Sequence, residues 1–168
     1  MNEQETKDLM IRTIQEYNKS IGFGRRNLSD TPTDAFQVAN KNYVDRKALQ
    51  MVVYSPTVNV ETGDGKFYAH IDSRLDGLRL GDVHAEVITA GTTNTTDIQV
   101  ANVTGAVDML STKLTIDSGE TGSDTAATPA VINQVNARVT LNDVIRIDID
   151  AVSTTAPKGL IITLGFII

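Results

Sequence analysis

The chain has 168 residues, 40% of them hydrophobic and 21% charged, with a formal net charge of −6. That balance describes a folded chain rather than a disordered one, long enough for one ordinary domain and an extension. The acidity disfavours a phosphate backbone as main partner, and the absence of cysteine excludes disulfides and thiolate metal sites.

The opening Met1-Asn2-Glu3-Gln4-Glu5 is acidic and carries no apolar segment, so it does not read as a secretory signal. The longest apolar run, Leu160–Ile168, is far below the ~20 residues of a membrane helix, and no membrane insertion is expected. The first twenty residues read as a helix. Met10, Ile14, Tyr17 and Ile21 fall at spacings of four, three and four, a two-turn a/d stripe. So short a helix is marginal alone, and the stripe needs a partner, either its own domain or another chain. Gly22-Phe23-Gly24 ends it, and Ser29–Asp34 forms a turn-rich connector. Arg25 and Arg26 are either solvated or set against an acidic partner. A second short helix is expected over Asn40–Leu49, capped by Asn40. Residues 1–54 are thus read as a helical arm and linker for attachment and trimerisation.

The remaining residues, 55–168, are read as the β domain, and from Lys66 onward the pattern changes to a period of two. Phe67, Ala69 and Ile71 share a face, as do Val83, Ala85 and Val87. Ile98 with Val100, and Leu114 with Ile116, repeat the pattern. In Val144–Asp150 three isoleucines point one way, while Arg146, Asp148 and Asp150 point the other. Turn signals at Asp76-Gly77, Gly81, Gly91, Gly105, Gly119, Gly122, Asn142-Asp143 and Pro157–Gly159 punctuate these runs. The expected fold is mainly β, an antiparallel jelly-roll-like β-sandwich with a short helical N-terminal arm. The last strand, Leu160–Ile168, is apolar on both faces. Something must cover it, the N-terminal segment or a neighbouring subunit, and Leu160, Ile162, Leu164 and Phe166 are read as partner-binding.

Chemistry-bearing motifs are sparse. His70 and His84 fall in strands, and no serine sits in a Gly-x-Ser-x-Gly elbow. Gly63-Asp64-Gly65-Lys66 lacks the spacing and hydroxyl of a phosphate loop and reads as a tight turn. Asp148 and Asp150 lie side by side on one strand, not across a cleft as a glycosidase requires. Asp117, Glu120 and Asp124 are surface acids or, in the sharper reading, calcium ligands. No cofactor motif is present.

Two stretches carry a resemblance. Gly63–Tyr68, Leu75-Asp76-Gly77, Val83–Val87, Ala90–Thr93, Thr96–Gln99, Asp108–Thr112, Thr115–Glu120, Ala126–Ile132, Asn142–Asp150 and Lys158–Leu160 together resemble a domain of tailed-bacteriophage virion proteins, over about 60% of the chain. Thr31–Asp45, with its Thr-Pro segment leading to Lys41-Asn42-Tyr43-Val44-Asp45, resembles the linker of phage fibre proteins. The resemblance implies a virion component assembled in the host cytoplasm, a homotrimer held on a major capsid protein or another virion protein by its arm. Two roles follow from it: a capsid decoration or head-fibre protein, and a tail-side adhesin for a host glycan or protein. A depolymerase is the enzymatic alternative.

Overall fold

The computed structural model describes residues 47–168, all of which belong to one compact unit. Ten strands follow one another: β1 (Lys47–Asn59), β2 (Gly63–His70), β3 (Arg79–Thr89), β4 (Thr96–Asn102), β5 (Val107–Asp108), β6 (Leu110–Thr112), β7 (Leu114–Ile116), β8 (Val131–Ile132), β9 (Val144–Ala151) and β10 (Lys158–Ile167). Every pairing is antiparallel. One sheet has the order β1-β10-β3; the second runs β2-β9-β4-β5, with β7 also on β4; β6 and β8 pair separately. The isolated bridge Glu86↔Gly122 adds a short segment to the free side of β3.

The two large sheets bury their inner faces in one core. Ile145, Ile147 and Ile149 of β9 meet Leu160, Ile162, Leu164 and Phe166 of β10 within it, joined by Ile98, Val100, Ala85, Val87 and Met51. The alternation legible in the sequence is therefore the inward row of each strand, as a half-buried antiparallel sheet demands. Among the described residues no helix is long and apolar enough to cross a membrane.

Three expectations are corrected. Lys47-Ala48-Leu49 are strand, not the end of a helix, while Asn40–Arg46 lie outside the described residues. Their helix propensity yields to pairing with β10, in the register Lys47↔Phe166 to Tyr54↔Leu160. The β domain consequently takes in residues 47–54, which the sequence pattern assigns to the linker. Finally, Leu160, Ile162, Leu164 and Phe166 are 0–1% exposed within the domain's own core. They are structural side chains and not partner contacts, because β10 is the middle strand of its sheet and turns this row toward the opposite sheet.

Gly63–Lys66 is a bulge rather than a simple turn. Gly63 pairs with Ile149 and Phe67 with Ile147, so Asp64, Gly65 and Lys66 stand opposite Asp148 alone. The slack lets the Gly65 N–H reach Asp148 Oδ1 at 2.7 Å, while Arg146 Nε and a terminal nitrogen donate to Oδ2 at 3.0 and 2.8 Å. Asp148, expected at the surface, is only 3% exposed. Gly65 has φ +67°, and a Cβ there would run into the Tyr68 hydroxyl. Gly65→Ala should therefore cost about 1–2 kcal/mol from the left-handed backbone alone. Urea unfolding checks this, and an unchanged midpoint would mean that the bulge tolerates a side chain.

Candidate functional site

Short connections give the domain two ends of different character. At the near end the chain enters β1 at Lys47, beside Phe166 and Ile167 of β10. There Asp143 Oδ2 accepts hydrogen bonds from Asn102 Nδ2 and the Thr140 N–H, both at 2.9 Å, tying the loop before β9 to the end of β4.

At the far end lie the β1–β2, β3–β4 and β9–β10 connections and the turn after β7. They are laced together by backbone groups. Thr92 and Thr155 exchange N–H···O bonds of 3.1 Å, Thr154 N donates to Thr93 O at 2.9 Å, and Gly119 N donates to Gly91 O at 2.8 Å. Side chains add to this: Ser118 Oγ accepts from Thr93 N at 2.7 Å, and Asn94 Nδ2 donates to Thr154 Oγ1 at 3.2 Å. Gly91 is required because a Cβ would sit 2.6 Å from Ser153 Oγ. Thr93 and Asn94 both have positive φ, 61° and 65°. For a β-branched threonine that conformation is strained, and it persists here because the surrounding loops hold it. The result is a rigid tip with Thr92, Thr93, Asn94, Thr154 and Thr155 exposed at the surface. It offers hydroxyls, an amide and carbonyls, groups suited to hydrogen-bonding a polar ligand or protein surface.

The two outer sheet faces also differ. The β2-β9-β4 face carries Tyr68, Arg146, Asp148 and Asp150, with Lys113 from the strand approach holding Asp150 at 2.8 Å. The β1-β10-β3 face presents Ala48, Gln50 and Val52, then Ile161, Thr163, Gly165 and Ile167, then Asp82, His84 and Glu86.

His84, Asp117, Glu120 and Asp124, singled out for chemistry, are engaged in local contacts. His84 Nδ1 lies 2.8 Å from Asp124 Oδ1 and 3.4 Å from Ser123 Oγ. Both neighbours use the same ring nitrogen, so the three do not form a relay in which the ring passes a proton from one to the other. Asp117 accepts from Ala127 N at 2.8 Å, Glu120 accepts from the Thr125 hydroxyl, and Asp124 holds His84. Among the described residues no group of three or more His, Asp or Glu is placed to hold a metal ion. A hydrogen bond to Asp150 raises the pKa of Lys113, and one to Asp148 raises that of Arg146. Arg74 is raised in the same way by Asp72, whose own pKa its hydrogen bonds lower. These shifts reinforce existing charges and move the groups away from neutrality, the reverse of acid–base tuning.

Of the partner residues inferred from the sequence, Met10, Ile14, Tyr17, Ile21, Arg25 and Arg26 lie outside the described residues. The structure brings together Leu160, Ile162, Leu164 and Phe166, but in the core. The far tip escapes a reading of the sequence alone, although the threonine-rich Thr92–Thr96 and Thr154-Thr155 are its visible signal. Compared with known proteins, the chain matches no family model, no curated protein and no solved structure.

Proposed function

We propose that the protein is a non-enzymatic structural component of a tailed-bacteriophage particle, a capsid decoration or head-fibre protein held by its N-terminal arm. The observation that carries this reading is the domain's polarity. The chain enters at one end, beside β10, and the rigid hydroxyl-rich tip lies at the other. That arrangement suits a module anchored at its base and displayed outward. The likeness of Gly63–Leu160 to phage virion domains supports the same reading. So does a strand order that suits a jelly roll: successive strands β1 to β4 alternate between the sheets, as do β9 and β10. The β3-side bridge at Gly122 stands where a fourth strand of the first sheet would belong.

The anchor in this reading is the stripe Met10, Ile14, Tyr17 and Ile21, with Arg25 and Arg26 beside it, against a major capsid protein or another virion protein. Burying four such side chains gains at best ~1.5–3 kcal/mol each, less the cost of ordering the arm. Three arms of a homotrimer would convert that modest margin into avidity. Changing Ile14 and Tyr17 together to aspartate should release the protein from purified particles while its strand-type circular dichroism is kept. Full copy number on particles carrying the double variant would place the attachment surface elsewhere.

The far tip favours a second reading, a tail-side adhesin that contacts a host glycan or protein. Copy number separates the two. Hundreds of copies per particle, counted from stained bands, indicate the shell; a few to a few tens indicate the tail.

A further inference from the structure

The sequence holds two Asp-Gly pairs, Asp64-Gly65 and Asp76-Gly77. Such a pair is prone to rearrange, because glycine has no Cβ to hinder attack by its nitrogen on the preceding side chain. The nitrogen bonds to the carboxyl carbon of the aspartic acid, and its proton leaves with the carboxyl hydroxyl as water. A five-membered succinimide results. Water then opens the ring at the backbone carbonyl, so that the chain runs on through the side chain as isoaspartate. The water lost in the first step is regained in the second, and no other reactant is needed.

The structure holds the two pairs differently. Asp64 lies in the bulge of β2, with its side chain 73% exposed and open to water. The nitrogen that would attack it is not free. Gly65 N–H donates to Asp148 Oδ1 at 2.7 Å, and the Asp148 side chain, 5% exposed, is fixed by two bonds from Arg146 to its other oxygen. To close the ring, the Gly65 nitrogen must leave this acceptor and shed its proton beside a buried negative charge. The first step forfeits a charge-assisted hydrogen bond, and like charge opposes the second. Gly77 N–H donates instead to a neutral acceptor, the Val139 carbonyl, at 3.0 Å.

We propose that Asp64-Gly65 is a latent isomerisation site of this domain and that Asp148 is the group that keeps it closed. Isomerisation there would lengthen the backbone by one carbon inside the bulge. Gly65 N–H would be drawn off Asp148, leaving a buried carboxylate with Arg146 as its remaining side-chain donor. The first event thus removes the contact that prevents it, and the bulge does not re-form. The inference concerns the β domain alone and does not depend on the particle to which the protein belongs.

Peptide mapping of isoaspartate tests it, on the full chain incubated at neutral pH both folded and in urea. In the folded chain the rate at Asp64 should be lower than in urea by roughly tenfold or more, since a charged hydrogen bond must open first. Asp148→Asn keeps the shape of the side chain and removes its charge. It should raise the rate at Asp64 several-fold while leaving Asp76 unchanged, which separates a local release from general loosening. Equal rates at Asp64 in the folded and urea-unfolded chain would overturn the proposal. So would an Asp148→Asn variant that is folded by circular dichroism yet isomerises no faster at Asp64. Should that variant not fold, hydrogen exchange in the unaltered chain still decides. The Gly65 amide should exchange as slowly as those of β9, and exchange at an unprotected rate would show that Asp148 does not hold it.

Discussion

A fragment spanning Asp45–Ile168 is expected to unfold in one cooperative thermal transition, whereas a fragment beginning at Ser55 should behave as an unfolded or aggregating chain. The difference is the first half of β1. Its Met51 is 3% exposed, and Leu49, Val53 and Tyr54 pack against the core from the same strand. Residues 47–54 also pair with Leu160–Phe166, so their removal bares one edge of the strand that carries the largest inward row. A buried methionine alone is worth ~1.5–3 kcal/mol, and domain stability totals only ~5–15 kcal/mol. Losing four packed side chains together with one side of a hydrogen-bonded ladder should exhaust that margin. Circular dichroism on heating reads the outcome. A Ser55 fragment that melts cooperatively at the temperature of the longer one would show β1 to be an appendage.

Phe166→Ala is expected to destabilise the domain by ~3–5 kcal/mol, and Leu164→Ala by ~2–5 kcal/mol, because each leaves a cavity in a closed core. Phe166 is 1% exposed and Leu164 0%. Ile161→Ala, on the outward row of the same strand, should stay within about 1 kcal/mol, since it opens no cavity. The contrast between the two rows separates two roles that a run of apolar residues leaves indistinguishable. Urea unfolding measures it. Equal small losses at all three positions would return Leu164 and Phe166 to the role of partner contacts.

The β class and most of the inward row are legible in the sequence. Period-two alternation in Val144–Asp150 and Val83–Val87 can be satisfied only by burying one face, and the residues so identified are the ones in the core. Turn positions are legible for a related reason. Gly77 and Gly119 have φ of 78° and 83°, and Asn142 has φ 72°, conformations few other residues adopt cheaply.

The start of β1 is not legible, because Lys47-Ala48-Leu49 prefer a helix locally and become strand only through a partner more than a hundred residues away. Nor does the sequence reveal that Asp148 is buried. Its concealment depends on three residues of β2 standing opposite one of β9, a register that exists only once the two strands meet. The far tip has the same origin, as Gly91, Gly119, Thr93 and Thr154 come from connections brought together by the sheets.

The sequence by itself therefore determined what is local: the strand periodicity, the turns that need a left-handed backbone, and the absence of cysteine chemistry. The tertiary structure alone decided which of β10's two apolar rows faces inward, which acid is hidden, and which loops meet at the far tip. The physical reason is that periodicity reports the alternation of side chains along a strand but not which side meets the other sheet. That choice is made by long-range pairing, and in β10 both rows were apolar enough to fill the core.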